Sequence, residues 1–161
     1  MKQETLVILK LPASRQDYGE ATVLINRELS AMGLVTRYEH VVLGSSAWKA
    51  LYPGLPNEIL NTLIAQFADR KVGVIFVEGE DAVALAASRK GSHNNPKLCH
   101  KDSFRRRLSH CYGFRSMLLY VAKGKRLRVY DNYVHIPKNA REAKRNLRIV
   151  RQAIVKGARL I

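Results

Sequence analysis

"VGVIFVEGEDAVALAASRKG", residues 72–91, carries the decision about fold class. Its first six residues are a short, nearly unbroken apolar run bounded by charge, the pattern of a buried strand. Residues 80–90 then read as a helix, with Gly91 as a stop. The same switch recurs upstream. "TLVILKL" (5–11) reads as a second buried strand, and after it Ala21, Leu24, Ile25, Leu29 and Met32 fall at helical spacing up to Gly33. "LVTRYEHVVL" (34–43) alternates like a half-buried strand. "SSAWKALYPGLP" (45–56) predicts a short helix ending at a Pro-Gly-Leu-Pro turn, and residues 57–68 set Ile59, Leu60, Leu63, Ile64 and Phe67 on one helical face. Strands alternating with helices argue for an α/β sandwich, helices laid over a sheet.

Downstream the pattern is less regular. Residues 91–116 show no clear periodicity, are crowded with Arg, Lys, His and Asn, and read as a long basic loop. "MLLYVA", "KGK" and "RLRVY" predict a hairpin around Gly124. Asn139 followed by Glu142 resembles a capping box opening a basic amphipathic helix over 139–161, with Leu147, Val150 and Ile154 on one side.

Composition narrows the classes. A chain of 161 residues with 47% hydrophobic content can bury one core, and one domain over 1–161 is the expectation. No apolar run approaches the ~20 residues of a membrane span, and no signal-peptide pattern opens the chain. Two cysteines make no disulfide framework, so a reducing, cytoplasmic setting is expected. The charge is sharply divided: residues 1–88 hold 8 Lys/Arg and 10 Asp/Glu, whereas 89–161 hold 20 and 3, giving −2 against +17. Such a half concentrates polyanions, whether nucleotide phosphates, nucleic acid or acidic lipid headgroups. Cys99, His100, His110 and Cys111 offer possible zinc ligands, but ligands on adjacent residues diverge and the spacing fits no common finger, so no metal site is expected.

Two residues carry chemistry of their own. Lys10 stands inside an apolar run, where a lysine must reach a strand end or meet an anion. His135 ends a strand-like stretch just ahead of a helix, a position open to a nucleophile or to a structural histidine. Around them, several short matches in order resemble the nucleoside diphosphate kinase family over residues 4 to 150. They are "VILK" (7–10), "YGE" (18–20), "LYPGL" (51–55), "VEGEDAV" (77–83), "GSHNNP" (91–96), "SFR" (103–105) and "NYVH" (132–135). The resemblance implies a ferredoxin-like α/β sandwich with a mainly antiparallel sheet, to which the basic loop and hairpin-like insert of 91–131 are additions. It also implies transfer of a γ-phosphoryl group from a nucleoside triphosphate to a diphosphate through phospho-His135.

Further roles are implied in the same way. Lys10 and Asn132 would hold ribose hydroxyls and nearby phosphate, Arg105 would clamp phosphate oxygens, and Tyr52 would support the lysine and histidine. Asn94, or His93, stands where a threonine contacts phosphate. Ala87 takes the place of the family's other phosphate arginine, with Arg89 two residues away, and Ile59 stands where an aromatic stacks on the base. Mg²⁺ would arrive with the nucleotide, and a dimer-based hexamer or tetramer is expected. The chain departs from the family after the histidine, where Ile136, Pro137, Lys138 and Asn139 replace a Gly-Ser-Asp-Ser run, and at Asn146, where a glutamate orients the ring. Each residue has a plainer reading: Lys10 snorkels, Asn132 forms a turn, Tyr52 packs, Glu142 caps a helix, and Arg105, Arg106 and Arg107 form a solvated run of which any one could touch phosphate. The other function class compatible with the sequence is a catalytically weakened relative that binds nucleotides or nucleic acid through its basic half.

Overall fold

A computed structural model describes residues 2–11, 19–121 and 124–159. Tyr18 of the "YGE" match and two residues at the hairpin tip lie outside them. The elements follow as β1 (Lys2–Leu9), α1 (Gly19–Ala31), β2 (Val35–Val42), α2 (Ser45–Leu51), α3 (Asn57–Phe67), β3 (Lys71–Glu80), α4 (Ala82–Lys90), a 3₁₀ turn (Pro96–Leu98), α5 (Phe104–Tyr112), β4 (Ser116–Val121), β5 (Lys125–Tyr130), β6 (Val134–His135) and α6 (Ala140–Arg159). The main sheet has the order β2-β3-β1-β6 with every neighbouring pair antiparallel, which is the ferredoxin-like arrangement expected.

Hydrophobic alternation explains why the sheet is covered twice. Val7 and Leu9 on β1, with Leu11 just beyond it, join a core with Ile25 and Leu29 of α1, Ala82 and Ala86 of α4, and Phe104 and Leu108 of α5. Leu6 and Ile8 point the other way, into a core with Trp48 and Leu51 of α2 and Leu147 and Val150 of α6. With both faces buried, β1 and β3 must be apolar nearly throughout, which is why they read as unbroken runs. No helix among the described residues is long and apolar enough to cross a membrane.

One expectation is overturned. The 91–116 segment is not a loop throughout, because α5 lies within it. Ser103 caps the helix by accepting from the Arg106 N–H at 3.2 Å, and Phe104, Leu108 and Tyr112 form a buried stripe at i, i+4 and i+8. Arg105, Arg106, Arg107 and His110 between those positions hide the stripe in the sequence. The hairpin forms as expected, with β4 and β5 antiparallel in a separate ribbon and Gly124 at φ +71°. Asn139 caps α6 through its side chain to the Glu142 N–H at 2.9 Å. Leu147, Val150 and Ile154 pack on the protein's own core.

Candidate active site

His135 is fixed by the short strand β6, where it stands opposite Ile8 in register. Alternation along β1 therefore puts His135, Ile8 and Lys10 on one face of the sheet, the face covered by α2 and α6. Lys10 lies one residue beyond β1, and its backbone N–H donates to the Tyr133 carbonyl at 2.7 Å, extending the pairing past the strand end. The approach to β6 is a tight three-residue turn: the Val134 N–H donates to the Asn132 carbonyl at 2.8 Å, and Tyr133 takes φ +68°. That conformation is costly for a tyrosine, and full burial together with a hydroxyl bond to the Gly113 carbonyl holds it. Tyr133 was not foreseen from the sequence, where nothing distinguishes it from a core tyrosine.

The imidazole is 7% exposed. Its Nε2 lies 2.5 Å from Oδ1 of Asn146, a fully buried residue on the inward row of α6. An amide oxygen can only accept, so this contact places the ring proton on Nε2 and leaves the Nδ1 lone pair bare. Burial is the main reason the ring's pKa falls to about 3; the Asn146 bond opposes the fall, and Lys10, Lys90 and Arg105 add to it. His135 is therefore neutral at physiological pH. Tyr52, at the end of α2, packs edge-on against it with ring centroids 4.8 Å apart, and the Lys10 ammonium lies 5.2 Å from the same Tyr52 ring.

Three cations gather here. Lys10 is 7% exposed, no ion pair holds its ammonium among the described residues, and burial, reinforced by Arg105, lowers its pKa to about 7. Arg105, also buried, donates through Nη1 to the His93 carbonyl at 3.0 Å and the Gly91 carbonyl at 3.4 Å, and through Nη2 to the Val134 carbonyl at 3.4 Å. Gly91 makes room for this: at φ +112°, a Cβ there would stand 2.9 Å from Cys99 Sγ and 3.3 Å from Arg105 Cβ. Lys90, half-buried at the end of α4, has its pKa lowered first by burial and then by Arg105. Sequence reasoning passed over Lys90 because a lysine at a helix C-terminus is ordinary. Of the three neighbouring arginines only Arg105 enters the site. Arg106 bonds the Lys97 carbonyl at 2.5 Å, and Arg107 pairs with Glu28.

Two cavities adjoin this cluster. The first, about 320 Å³, is lined by Lys10, Tyr52, Ile59, Asn94, Arg105 and Asn132 together with α3 and hairpin residues. The second, about 570 Å³, is lined by Ala87, Arg89, Lys90 and neighbours, and shares Asn94 and Arg105 with the first. Asn94 and Asn132 touch at 3.5 Å between side-chain amides. Lys10, Tyr52, Ile59, Arg89, Asn94, Arg105 and Asn132 thus line one or both of the adjoining cavities, whereas His135 lines neither and packs against Tyr52.

Comparison with solved structures returns nucleoside diphosphate kinases. The enzyme from Borrelia burgdorferi, solved with vanadate and ADP, superposes with a TM-score of 0.64 at 20% identity over 92% of this chain and 86% of that one. An NDP kinase from Pyrobaculum aerophilum gives 0.65 at 17% identity, covering 92% and 95%. The halophilic enzyme from Halobacterium salinarum, in complex with CDP, gives 0.64 at 14% identity, covering 92% and 87%. This chain has the fold of those kinases. No family model and no curated protein sequence matches it.

The site's unpaired atoms say what the arrangement can do. Among buried side-chain atoms, Tyr52 Oη, Arg105 Nε and Asn146 Nδ2 have no hydrogen-bond partner. All three can donate, and burial holds the Tyr52 hydroxyl far above the usual phenol range, so it stays protonated. Donors without acceptors, beside cations that Asp131 only partly offsets, form a site complementary to an anion rich in oxygen.

Proposed function

We propose that the protein is a nucleoside diphosphate kinase-like phosphotransferase. It binds nucleoside di- and triphosphates across the two joined cavities and passes a γ-phosphoryl group through His135. The observation that supports this most directly is the convergence of Lys10, Lys90, Arg105 and the unpaired Tyr52 hydroxyl beside a neutral imidazole with a bare Nδ1.

In the first half-reaction the Nδ1 lone pair attacks the γ-phosphorus in line. The N–P bond forms as the bond to the β–γ bridging oxygen breaks, and the electron pair leaves with the diphosphate. Nε2 keeps its proton on Asn146. A second diphosphate then takes the group from the ring by the reverse displacement. Lys10, Lys90 and Arg105 take up charge on the phosphate oxygens, Asn132 and Lys10 meet the ribose hydroxyls, Asn94 and Arg89 border the phosphate path, and Ile59 borders the base. Among the described residues the two cavities present only Asp131 and Asp102 as carboxylates, so Mg²⁺ fits this site as an ion that would be held by the nucleotide's own phosphates and water and would neutralise phosphate charge. Assembly into a dimer-based tetramer or hexamer and a cytoplasmic location belong to the same reading, and sedimentation tests the first.

One observation favours a second reading, in which the protein holds nucleotides without transferring phosphate: His135 lines neither cavity. Incubation with γ-labelled ATP and Mg²⁺ separates the two. Transfer leaves an acid-labile, base-stable label on the wild type that His135→Ala removes. ATP binding without label leaves only the second reading, and no binding of ATP or ADP removes both.

A further inference from the structure

The β4–β5 ribbon is an addition to the sandwich with no partner in the main sheet. Met117 pairs with Val129, and Leu119 with Leu127, so Met117, Leu127 and Val129 stand on one face of the ribbon. All three line the 320 Å³ cavity, whose opposite side is built from Ile59, Thr62, Leu63 and Gln66 of α3. Met117 and Leu127 keep 41% and 37% of their surface open, an unusual use of apolar side chains in the most basic part of the chain.

We propose that this ribbon is the second wall of a nucleobase slot, closing the ligand's nucleoside end against α3. The inference rests on the nucleotide reading and gives the hairpin its role in it. What identifies the occupant is continuity. The same cavity is also lined by Lys10, Arg105, Asn94 and Asn132, so a ligand anchored on them by phosphate can extend its nucleoside between the aliphatic walls. A nucleobase is flat, with two apolar faces and a polar edge, and it matches such a slot; Gln66, Thr62 and Arg128 supply polar groups among the lining residues. A bare phosphate chain would leave the walls unused.

This division of the cleft makes the test specific. ADP and inorganic tripolyphosphate share the anionic end, but only ADP reaches the walls. Calorimetric titration of the Met117→Ser/Leu127→Ser double variant should weaken ADP about tenfold, through lost apolar contact, and leave tripolyphosphate within twofold of wild type. Both positions are surface sites on a ribbon, so the fold should survive. A second variant, in which residues 118–128 are removed and Met117 is joined to Val129 by an Asn-Gly turn, should show at least the same selective loss. Unchanged ADP affinity in both variants overturns the hairpin's role while leaving the nucleotide reading intact. Equal weakening of both probes overturns it too. A wild type that binds tripolyphosphate no more weakly than ADP also counts against the slot, and binding of neither probe removes the nucleotide reading itself.

Discussion

Replacing Lys10 by methionine should make the protein more stable and unable to hold nucleotide. The ammonium is buried, faces Arg105 and Lys90, and has only partial compensation from Asp131. Its pKa falls from 10.5 to about 7, which at 1.36 kcal/mol per pH unit corresponds to a penalty of about 5 kcal/mol while the folded state must carry the charge. The sign follows from proton counting. Below pH 7 both folded and unfolded chains are protonated at Lys10 and the penalty is complete. Between 7 and 10.5 the unfolded chain holds the extra proton, so wild-type stability rises with pH through this window. Methionine keeps the unbranched stem and removes the charge. Urea unfolding at pH 6.5 should therefore find Lys10→Met more stable by roughly 3–5 kcal/mol, and at pH 9.5 that advantage should have shrunk by about 3 kcal/mol. Other titrating groups are common to both chains and cancel in the difference. If Lys10→Met is the less stable protein throughout, or its advantage does not change with pH, the account of a stored, unpaired cation is wrong. Loss of ADP binding in the more stable variant would show what the charge is kept for.

The same lysine should take up a proton when an anion arrives: titrating ADP at pH 8 in buffers of different ionisation enthalpy should report uptake of most of one proton, absent in Lys10→Arg. Arg105→Lys loses the planar fork that reaches the His93 and Val134 carbonyls, and should cost about 1–3 kcal/mol in urea unfolding and at least tenfold in triphosphate affinity. Lys90→Gln should weaken binding of a triphosphate by about tenfold and that of a monophosphate by less than twofold, as measured by calorimetry. Ser103→Ala should lower stability by about 1 kcal/mol through loss of the α5 cap, with the midpoint of urea unfolding as readout.

The legible part of the sequence was the part where both faces of an element are buried or cleanly divided. β1 and β3 show as apolar runs because helices cover them on either side, and α3 and α6 show as stripes because one side meets solvent. α5 was hidden because the charge on its flanks is not all solvated: Arg105 is itself buried, so a polar letter occupies an inward position. β6 showed only as a strand-like stretch ending at His135; its register opposite Ile8, which two residues cannot set by period, fixes the site. Two site residues were readable as chemistry out of place, a lysine in an apolar run and a histidine at a strand end, and the others only through the collinear short matches around them. Lys90 and Tyr133 lacked even that. One gains meaning from the cavity beside it, and the other from a backbone angle that no sequence displays.

Asn146 ties these observations to the proposed transfer. A carboxylate at its position would orient the ring and also neutralise positive charge developing on it; an amide supplies only orientation. Around this ring the fixed charges that lower its pKa are all positive, from Lys10, Lys90 and Arg105, and no carboxylate among the described residues offsets their effect on it. On the proposed function, compensation comes from the ligand's phosphates once they are seated. On the same reading, such a site directs its positive charge at the polyphosphate and leaves His135 neutral until the ligand is in place. It follows that phosphate binding and ring reactivity are coupled here more tightly than where an acid stands behind the histidine. Weakening Lys10 or Arg105 should therefore depress any transfer step by more than it depresses affinity.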